Sequence, residues 1–161
     1  MPRPAVFVAT AWAGDDDLIR RIARHRADRP PHWRTVEEPY DVVRALRDLA
    51  GRTDALVLDC VTMWVANRQL RGDPDDRIIT DADALADLIR DRLYDVVLVS
   101  NEVGEGVHPP TAAGMQFRDL LGTVNQRLAA ASDRVVLMVA GLPLTIKDAR
   151  SPLRADAHQA P

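Results

Sequence analysis

Short runs of apolar, mostly β-branched residues alternate along this chain with longer segments of helical periodicity. Within most runs the apolar residues are continuous, which is typical of strands covered by helices on both faces. The alternation predicts βαβ units: an α/β fold with a mostly parallel sheet and helices on both faces. The predicted strands are residues 6–10, 55–59, 95–100 and 134–139, and we expect the last three to be central strands.

The segments between these runs carry apolar residues at helical spacing. Leu18, Ile19 and Ile22 share one face of a predicted helix that opens with three aspartates, where the helix dipole favours negative charge. A stretch rich in Asp, with one Gly and one Pro, predicts a surface loop at residues 71–81. The predicted helices are residues 15–27, 40–50, 61–70, 81–92 and 111–131.

Length and composition favour one domain, residues 1–147, followed by a disordered tail, residues 148–161, with two prolines and almost no large apolar side chain. The chain has 161 residues, 47% of them hydrophobic, and a formal charge of -3 that excludes a strongly basic nucleic-acid scaffold. We find no membrane-length apolar stretch and no signal-peptide pattern, and therefore expect a cytoplasmic protein. The single cysteine, Cys60, offers neither an internal disulfide nor a zinc-ligand spacing.

Polar residues close three of the predicted strands. Thr10 ends the first, Asp59 the second, and Asn101 and Glu102 follow the third. Ligands of open α/β sheets bind beyond the carboxyl ends of the strands, where nucleotide-binding enzymes hold Mg²⁺ on a carboxylate beside phosphates. Each strand end alone is a weak signal, because an aspartate there is more often a helix N-cap than a metal ligand, but three such ends on one edge favour a site.

An arginine-rich segment, residues 20–34, surrounds His25. The planar fork of donors on arginine matches phosphate oxygens, so this density favours a polyphosphate ligand, although a solvated helix face explains any single arginine. His25 lies seven residues after Leu18, beside the predicted buried stripe, and is either a neutral structural histidine or a nucleophile that attacks phosphorus.

The predicted helix 111–131 carries a third group of candidates. Arg118 and Asn125 are seven residues apart, hence on one face, with Gly122 between them. A glycine inside a helix indicates close approach of a ligand or another backbone, and a helix–helix contact explains it equally well.

Five motifs occur in order along the chain: "VFVATA", "RIARHRADRPPHWRTVEEP", "LVLDCVTMWVANRQL", "VLVSNEVGEGVHPP" and "FRDLLGTVNQRLAAASDRVVLMVAGLPLTIK". Together they resemble the bifunctional adenosylcobinamide kinase/adenosylcobinamide-phosphate guanylyltransferases of cobalamin (vitamin B12) synthesis. The resemblance implies a P-loop NTPase-like, RecA-like three-layer fold and two reactions: phosphorylation of adenosylcobinamide by ATP or GTP, and transfer of GMP from GTP to adenosylcobinamide phosphate through a guanylylated histidine.

The resemblance also assigns residue roles. It places the guanylylated histidine on His25 and a contact to Mg²⁺ and phosphates on Asp59, and it favours a homo-oligomer, in the family a trimer. Asn101 and Glu102 are our weaker candidates for the corrinoid rim. The remaining implied nucleotide contacts are Ala9, Thr10, Ala11, Arg26, Ala27, Asp28, Arg29 and Glu37.

One departure from the family pattern is large. The chain contains no G-x-x-x-x-G-K-[ST] motif, so we expect that about 25 N-terminal residues, one strand, the P-loop and a helix, are absent. A start codon placed too far downstream, a fragment of a longer frame or a degenerate paralogue would each explain this. We expect weak or no activity from the chain as written, and a non-catalytic nucleotide- or corrinoid-binding homologue is the alternative.

Overall fold

The computed structural model describes residues 3–11, 20, 23–24, 26–27, 29–106 and 108–149. The predicted helix 15–27 therefore lies mostly outside the described residues, as do His25 and Asp28. Arg24 and Arg26 are described and are helical, as predicted. Of the predicted tail, Asp148 and Ala149 are described and residues 150–161 are not.

A four-stranded parallel sheet forms the centre of the fold, in the order β2-β1-β3-β4. This confirms the predicted α/β class with a mostly parallel sheet. The sequence pattern misses β2, because three of its four residues, RTVE, are charged or polar and form no apolar run. The strands are β1 (Val6–Ala9), β2 (Arg34–Glu37), β3 (Ala55–Asp59) and β4 (Asp95–Val99).

Four helices among the described residues pack on this sheet: α1 (Val42–Asp48), α2 (Val61–Leu70), α3 (Asp75–Arg90) and α4 (Ala112–Ala131). The predicted loop 71–81 is confirmed only for residues 71–74, and the predicted helix start at residue 81 is wrong, because α3 begins at Asp75. Asp75 and Asp76 fill the first turn of α3, where the helix dipole stabilises negative charge, so these aspartates start a helix instead of a loop.

Residues 134–139 form a strand as predicted, but outside the parallel sheet. This strand, β5 (Arg134–Val139), pairs antiparallel with β6 (Leu142–Asp148) in a separate two-stranded sheet. Lys147 of β6 donates from Nζ to the carbonyls of Ala129 and Ala130, at 2.9 and 3.0 Å, and so holds the hairpin at the end of α4. The predicted central position of residues 134–139 is therefore wrong, and β4, also predicted central, is an edge of its sheet in the described structure.

One hydrophobic core joins the four helices to one face of the parallel sheet. Alternate strand residues enter it, Val6 and Val8 from β1 and Leu56 and Leu58 from β3, and all are almost fully buried. Trp64 of α2 is the largest fully buried side chain in this core. The opposite strand residues, such as Phe7, alternate away from the core and face the other side of the sheet.

Helix α2 fixes the loops that follow β1 and β2. Asn67, which is 7% exposed, donates from Nδ2 to the carbonyl of Thr10 at 2.7 Å and to that of Pro39 at 3.2 Å. Trp64 Nε1 donates to the carbonyl of Tyr40 at 2.9 Å. These bonds satisfy buried backbone acceptors outside the sheet ladder, so α2 sets how the two loops leave the strands.

A buried arginine anchors the other end of α2. Arg68 is 3% exposed and pairs with Asp73 in the following turn and with Asp81 of α3, the latter at 2.8 Å. Hydrogen bonds from Arg71 lower the pKa of Asp73 to about 2, with Arg68 acting in the same direction against the effect of burial. Asp73 therefore stays ionised at neutral pH and neutralises the buried guanidinium.

We predict that Asn67→Ala destabilises the protein, because it leaves the carbonyls of Thr10 and Pro39 buried without their donor. The expected loss in the free energy of unfolding is about 1–3 kcal/mol, measured by urea denaturation. Gln69→Ala on the same helix is the matched control and should change stability by less than about 0.5 kcal/mol. Equal stability of the Asn67→Ala and native chains would show that the two bonds do not hold these loops.

Candidate functional site

The carboxyl ends of three adjacent strands lie at the same level. Ala9 of β1 is the register partner of Glu37 on β2 and of Asp59 on β3. Three of the sequence-predicted site residues thus form one row across the sheet, with Ala9 in the middle. The carboxylates of Glu37 and Asp59 therefore flank the end of β1, where an α/β sheet binds its ligands.

Thr10 and Ala11 continue from the middle of this row. Thr10 is fully buried, and its hydroxyl donates to the carbonyl of Cys60 at 2.7 Å and accepts from the Cys60 N–H at 2.8 Å. The backbone N–H of Thr10 donates to the carbonyl of Asp59 at 3.0 Å. The threonine hydroxyl therefore locks the end of β1 to the end of β3, and the half-buried Ala11 follows at the rim.

Arg29 brings a half-buried positive charge to the row. Its guanidinium carbon lies 3.6 Å from the centre of the Phe7 ring, and its Nη1 donates to the hydroxyl of Thr35 at 3.1 Å. Burial lowers the pKa of Arg29, while the charges of Asp59 and Glu37 raise it and that of Arg26 lowers it. Its Nε is buried and has no hydrogen-bond partner among the described residues, so one donor remains unmatched.

Arg26 supplies a second, more accessible cation. Its Nη1 lies 3.4 Å from Oε1 of Glu37, and both side chains are more than half exposed. An exposed ion pair of this kind contributes little to stability, so Arg26 can exchange Glu37 for another anion at small cost. Ala27, the next residue, is exposed and helical, whereas Asp28 lies outside the described residues.

Asn101 and Glu102 lie on the same edge of the sheet, beyond β4. The N–H of Asn101 donates to Thr62 Oγ1 at 2.8 Å, and its carbonyl accepts from Nδ2 of Asn125 on α4 at 3.1 Å. Glu102 accepts a hydrogen bond from the N–H of Gly104 at 2.8 Å and is exposed. The strand end is therefore held in place, while the side chains of both candidates face solvent.

Two residues hold this edge: Asn125, which the sequence analysis singles out, and Thr62, which it does not. Asn125, predicted from its spacing to Arg118, accepts from Ser100 Oγ at 2.7 Å as well as binding Asn101. Sequence reasoning missed Thr62, whose position at the start of α2 was the available signal. Gly122 has open space around its Cβ position, so among the described residues no close approach explains that glycine.

The properties of Cys60 and of the acidic residues restrict which nucleophiles and metal ligands this row can offer. Burial raises the pKa of the Cys60 thiol, which keeps it neutral and poorly nucleophilic. The described residues contain no group of three or more His, Cys, Asp and Glu side chains that could hold a metal alone. Asp59 is a single carboxylate, the type of ligand with which Mg²⁺ is bound when substrate phosphates complete its shell.

No helix among the described segments combines the length and apolar composition that a bilayer crossing needs.

Comparison with known proteins places these residues in a family. A family model described as "Cobinamide kinase / cobinamide phosphate guanyltransferase" matches residues 1–146. The chain is 41% identical over 141 residues to the bifunctional adenosylcobalamin biosynthesis protein CobP of Pseudomonas aeruginosa, a match that covers 88% of this chain and 81% of that protein. It is 36% and 35% identical to the bifunctional adenosylcobalamin biosynthesis proteins CobU of Salmonella typhimurium and Escherichia coli, and each match covers 88% of this chain and 85% of the relative.

The family match spans the four parallel strands, the four described helices and all the candidate site residues named above. The chain belongs to the cobinamide kinase/cobinamide phosphate guanyltransferase family, whose two activities serve the assembly of the nucleotide loop in cobalamin biosynthesis.

Proposed function

We propose that this chain binds a nucleoside triphosphate at the row formed by Ala9, Glu37 and Asp59 and uses it for guanylyl transfer to adenosylcobinamide phosphate. The observation that carries the proposal is the convergence of Arg26 and Arg29 on this row. Two guanidinium groups beside two carboxylates suit a ligand that carries phosphates and, with them, a divalent cation.

The guanylyl transfer passes through His25. A ring nitrogen of His25 attacks the α-phosphorus of GTP, a nitrogen–phosphorus bond forms, and pyrophosphate leaves. A phosphate oxygen of adenosylcobinamide phosphate then attacks the same phosphorus and displaces the histidine, which gives adenosyl-GDP-cobinamide. The carry-over to His25 rests on the motif "RIARHR", since this residue lies outside the described residues.

The kinase step supplies the acceptor for this transfer. The terminal hydroxyl of adenosylcobinamide attacks the γ-phosphorus of ATP or GTP, and the nucleoside diphosphate leaves with the electron pair of the broken bond. Positioning and charge neutralisation dominate such a transfer, so the arginines at the row matter more than any covalent group of the protein.

The described geometry supports a proposed role for each contact residue. Arg29, whose Nε has no partner among the described residues, donates to a phosphate oxygen, and Arg26 leaves Glu37 to do the same. Glu37 then accepts from the sugar or base of the nucleotide. Ala9, Thr10 and Ala11 line the floor with their backbone, and the exposed, helical Ala27 continues the wall that begins at Arg26. The contact proposed for Asp28 rests on the resemblance alone, because this residue lies outside the described ones.

Asp59 is the residue that would hold Mg²⁺. Its position at the end of β3 fits the ion, because one carboxylate and several phosphate oxygens make a usual Mg²⁺ shell. When bound, Mg²⁺ neutralises the negative charge of the phosphates. Asp59 also contributes to the electrostatic environment of Arg29, whose pKa its charge raises, so the cation and the guanidinium would lie on either side of one polyphosphate.

Asn101 and Glu102 form the corrinoid rim in this proposal. Both side chains are exposed at the end of β4, one strand beyond Asp59, on the edge where the transferred phosphate must meet its acceptor. The hydrogen bond that the Asn101 N–H donates to Thr62 and the one that its carbonyl accepts from Asn125 fix the backbone there and leave the side chains available. We further propose a cytoplasmic homo-oligomer, a trimer by resemblance to the family.

A second function is favoured by one observation, namely that the sequence contains no G-x-x-x-x-G-K-[ST] motif. The backbone N–H groups and lysine of such a loop bind the β- and γ-phosphates. The only lysine, Lys147, donates to carbonyls at the end of α4, away from the row. On this alternative the chain binds nucleotide or corrinoid without catalysis.

We predict that His25→Ala abolishes covalent labelling of the protein by α-labelled GTP in the presence of Mg²⁺. The reason is that only the guanylyl step uses the imidazole as a nucleophile. His32→Ala, an exposed histidine in the same segment, is the matched control and should keep the label. The measurement is made on residues 1–161 and on a chain extended upstream to include a P-loop.

Acid-labile label on the His25→Ala protein would refute this nucleophile. Label on the extended native chain alone would show that the row needs a P-loop to act. Absence of label from both the 161-residue chain and the extended chain, each with His25 intact, would favour the non-catalytic alternative.

We predict that Asp59→Asn lowers Mg²⁺-dependent labelling at a fixed, subsaturating Mg²⁺ concentration by about ten-fold or more, the size of loss typical when metal coordination is disturbed. Asp54→Asn is the control, because Asp54 lies just before the amino end of the same strand and pairs with Arg3. Equal labelling of the two variants across a Mg²⁺ titration would remove Asp59 from the metal site.

A further inference from the structure

Four polar residues form a closed ring of hydrogen bonds at the carboxyl end of β4. The N–H of Asn101 donates to Thr62 Oγ1 at 2.8 Å, and the carbonyl of Asn101 accepts from Asn125 Nδ2 at 3.1 Å. Oδ1 of Asn125 accepts from the hydroxyl of Ser100 at 2.7 Å. The hydroxyl oxygens of Ser100 and Thr62 lie 3.4 Å apart and complete the ring. The ring therefore ties the first turn of α2 and the helix α4 to the end of β4.

Each hydrogen bond of the ring runs in one defined direction. Ser100 has a single hydroxyl proton, which it donates to Asn125, so its oxygen accepts from the hydroxyl of Thr62. The oxygen of Thr62 accepts in turn from the N–H of Asn101. The amide of Asn125 turns its oxygen toward Ser100 and its nitrogen toward the carbonyl of Asn101. Bonds that run in one sense around a ring polarise and strengthen one another, so we expect the four residues to act as one unit.

Thr62 anchors the ring to the interior of the protein. It is 9% exposed, whereas Ser100 and Asn101 are exposed at the edge of the sheet. Thr62 follows Asp59 by three residues, and Asp59 is the register partner of Val99, the last residue of β4. The buried hydroxyl thus links the strand end proposed to hold Mg²⁺ to the strand end proposed to meet the corrinoid.

The ring fixes a residue that lies beyond the sheet ladder. The pairing of β4 with β3 ends at Val99, and side chains from two helices then bind both backbone polar groups of Asn101. The side chains of Asn101 and Glu102 stay exposed, so this arrangement does not serve to bury apolar surface. Exposed polar side chains on a backbone that rigid elements hold in place are typical of binding sites.

We propose that Thr62, Ser100 and Asn125 are positioning residues for the acceptor, because their ring holds Asn101 where its side-chain amide hydrogen-bonds the corrinoid. This inference rests on the proposed function, which puts the acceptor at this rim. An amide side chain suits the ligand, since cobinamide carries carboxamide groups and each amide offers both donors and an acceptor. Loss of the ring weakens acceptor binding and leaves the nucleotide row in place, because the ladders of β1 with β2 and β3 hold that row.

The test measures two dissociation constants of the 161-residue chain by equilibrium dialysis, one for adenosylcobinamide phosphate and one for GTP with Mg²⁺. Thr62→Val keeps the shape of the side chain and removes the hydroxyl, whereas Thr62→Ser keeps the hydroxyl. Asn125→Asp keeps Oδ1, but its carboxylate has no donor for the carbonyl of Asn101. Thr80→Val is the matched control, because the hydroxyl of Thr80 bonds within its own helix, to the carbonyl of Asp76 at 2.8 Å.

We expect Thr62→Val and Asn125→Asp each to raise the dissociation constant for adenosylcobinamide phosphate about ten-fold, roughly the effect of one lost hydrogen bond. The dissociation constant for GTP should stay within about two-fold of the native value, because the row is held independently of the ring. Thr62→Ser and Thr80→Val should bind both ligands as the native chain does.

A double variant separates a ring from a set of independent bonds. Thr62→Val combined with Asn125→Asp should bind adenosylcobinamide phosphate no more weakly than the weaker single variant, because one broken bond already opens the ring. Fully additive losses would contradict a ring that acts as one unit.

Further results would overturn the inference. Native acceptor affinity in both single variants would show that the ring does not position Asn101, and equal losses for both ligands would show a general effect on folding. A native chain that binds GTP but not the acceptor would remove the acceptor from this rim and leave the nucleotide site standing. A native chain that binds the acceptor in a ring-dependent manner but not GTP would refute the proposed nucleotide site and support the ring.

Discussion

The pairing of β1 with both β2 and β3 is the constraint on which the candidate site depends. Parallel ladders fix the relative level of neighbouring strands, so one register places Ala9, Glu37 and Asp59 in a row. The hydroxyl of Thr10 extends that register by one residue through its two bonds to Cys60. A slip of one residue would turn Val6 and Val8 out of the core, so burial protects the geometry of the site.

The charges of the row are placed by packing as much as by pairing. Arg29 lies against the ring of Phe7, a residue that points away from the core because its neighbours Val6 and Val8 point into it. Asn67 and Trp64 hold the loops after β1 and β2 from the opposite side of the sheet. The two faces of the sheet thus differ: the face with Val6 and Val8 packs in the core, and the face with Phe7 positions Arg29 near the carboxyl ends of the strands.

The sequence predicts most of the parallel sheet and the residues at its strand ends, because apolar runs and the polar residues that close them are local signals. It misses β2, because the RTVE pattern has no apolar run and this segment is a strand through its pairing with β1. It places the start of α3 too late, because aspartates are common both in loops and in first helical turns. The central position expected for residues 134–139 fails because a strand becomes central only through its neighbours. The register, the Phe7–Arg29 contact and the Asn67 bonds join residues distant in sequence, which composition and spacing do not reveal.

The central claim is that a triphosphate binds at the carboxyl ends of β1, β2 and β3. Its most direct test is the change in backbone amide chemical shifts when GTP and Mg²⁺ are added to the chain. The account predicts the largest shifts at Ala9–Ala11, Glu37 and Asp59, together with the Nε resonance of Arg29. Shifts confined to the hairpin β5–β6, or no shifts up to millimolar GTP, would contradict it.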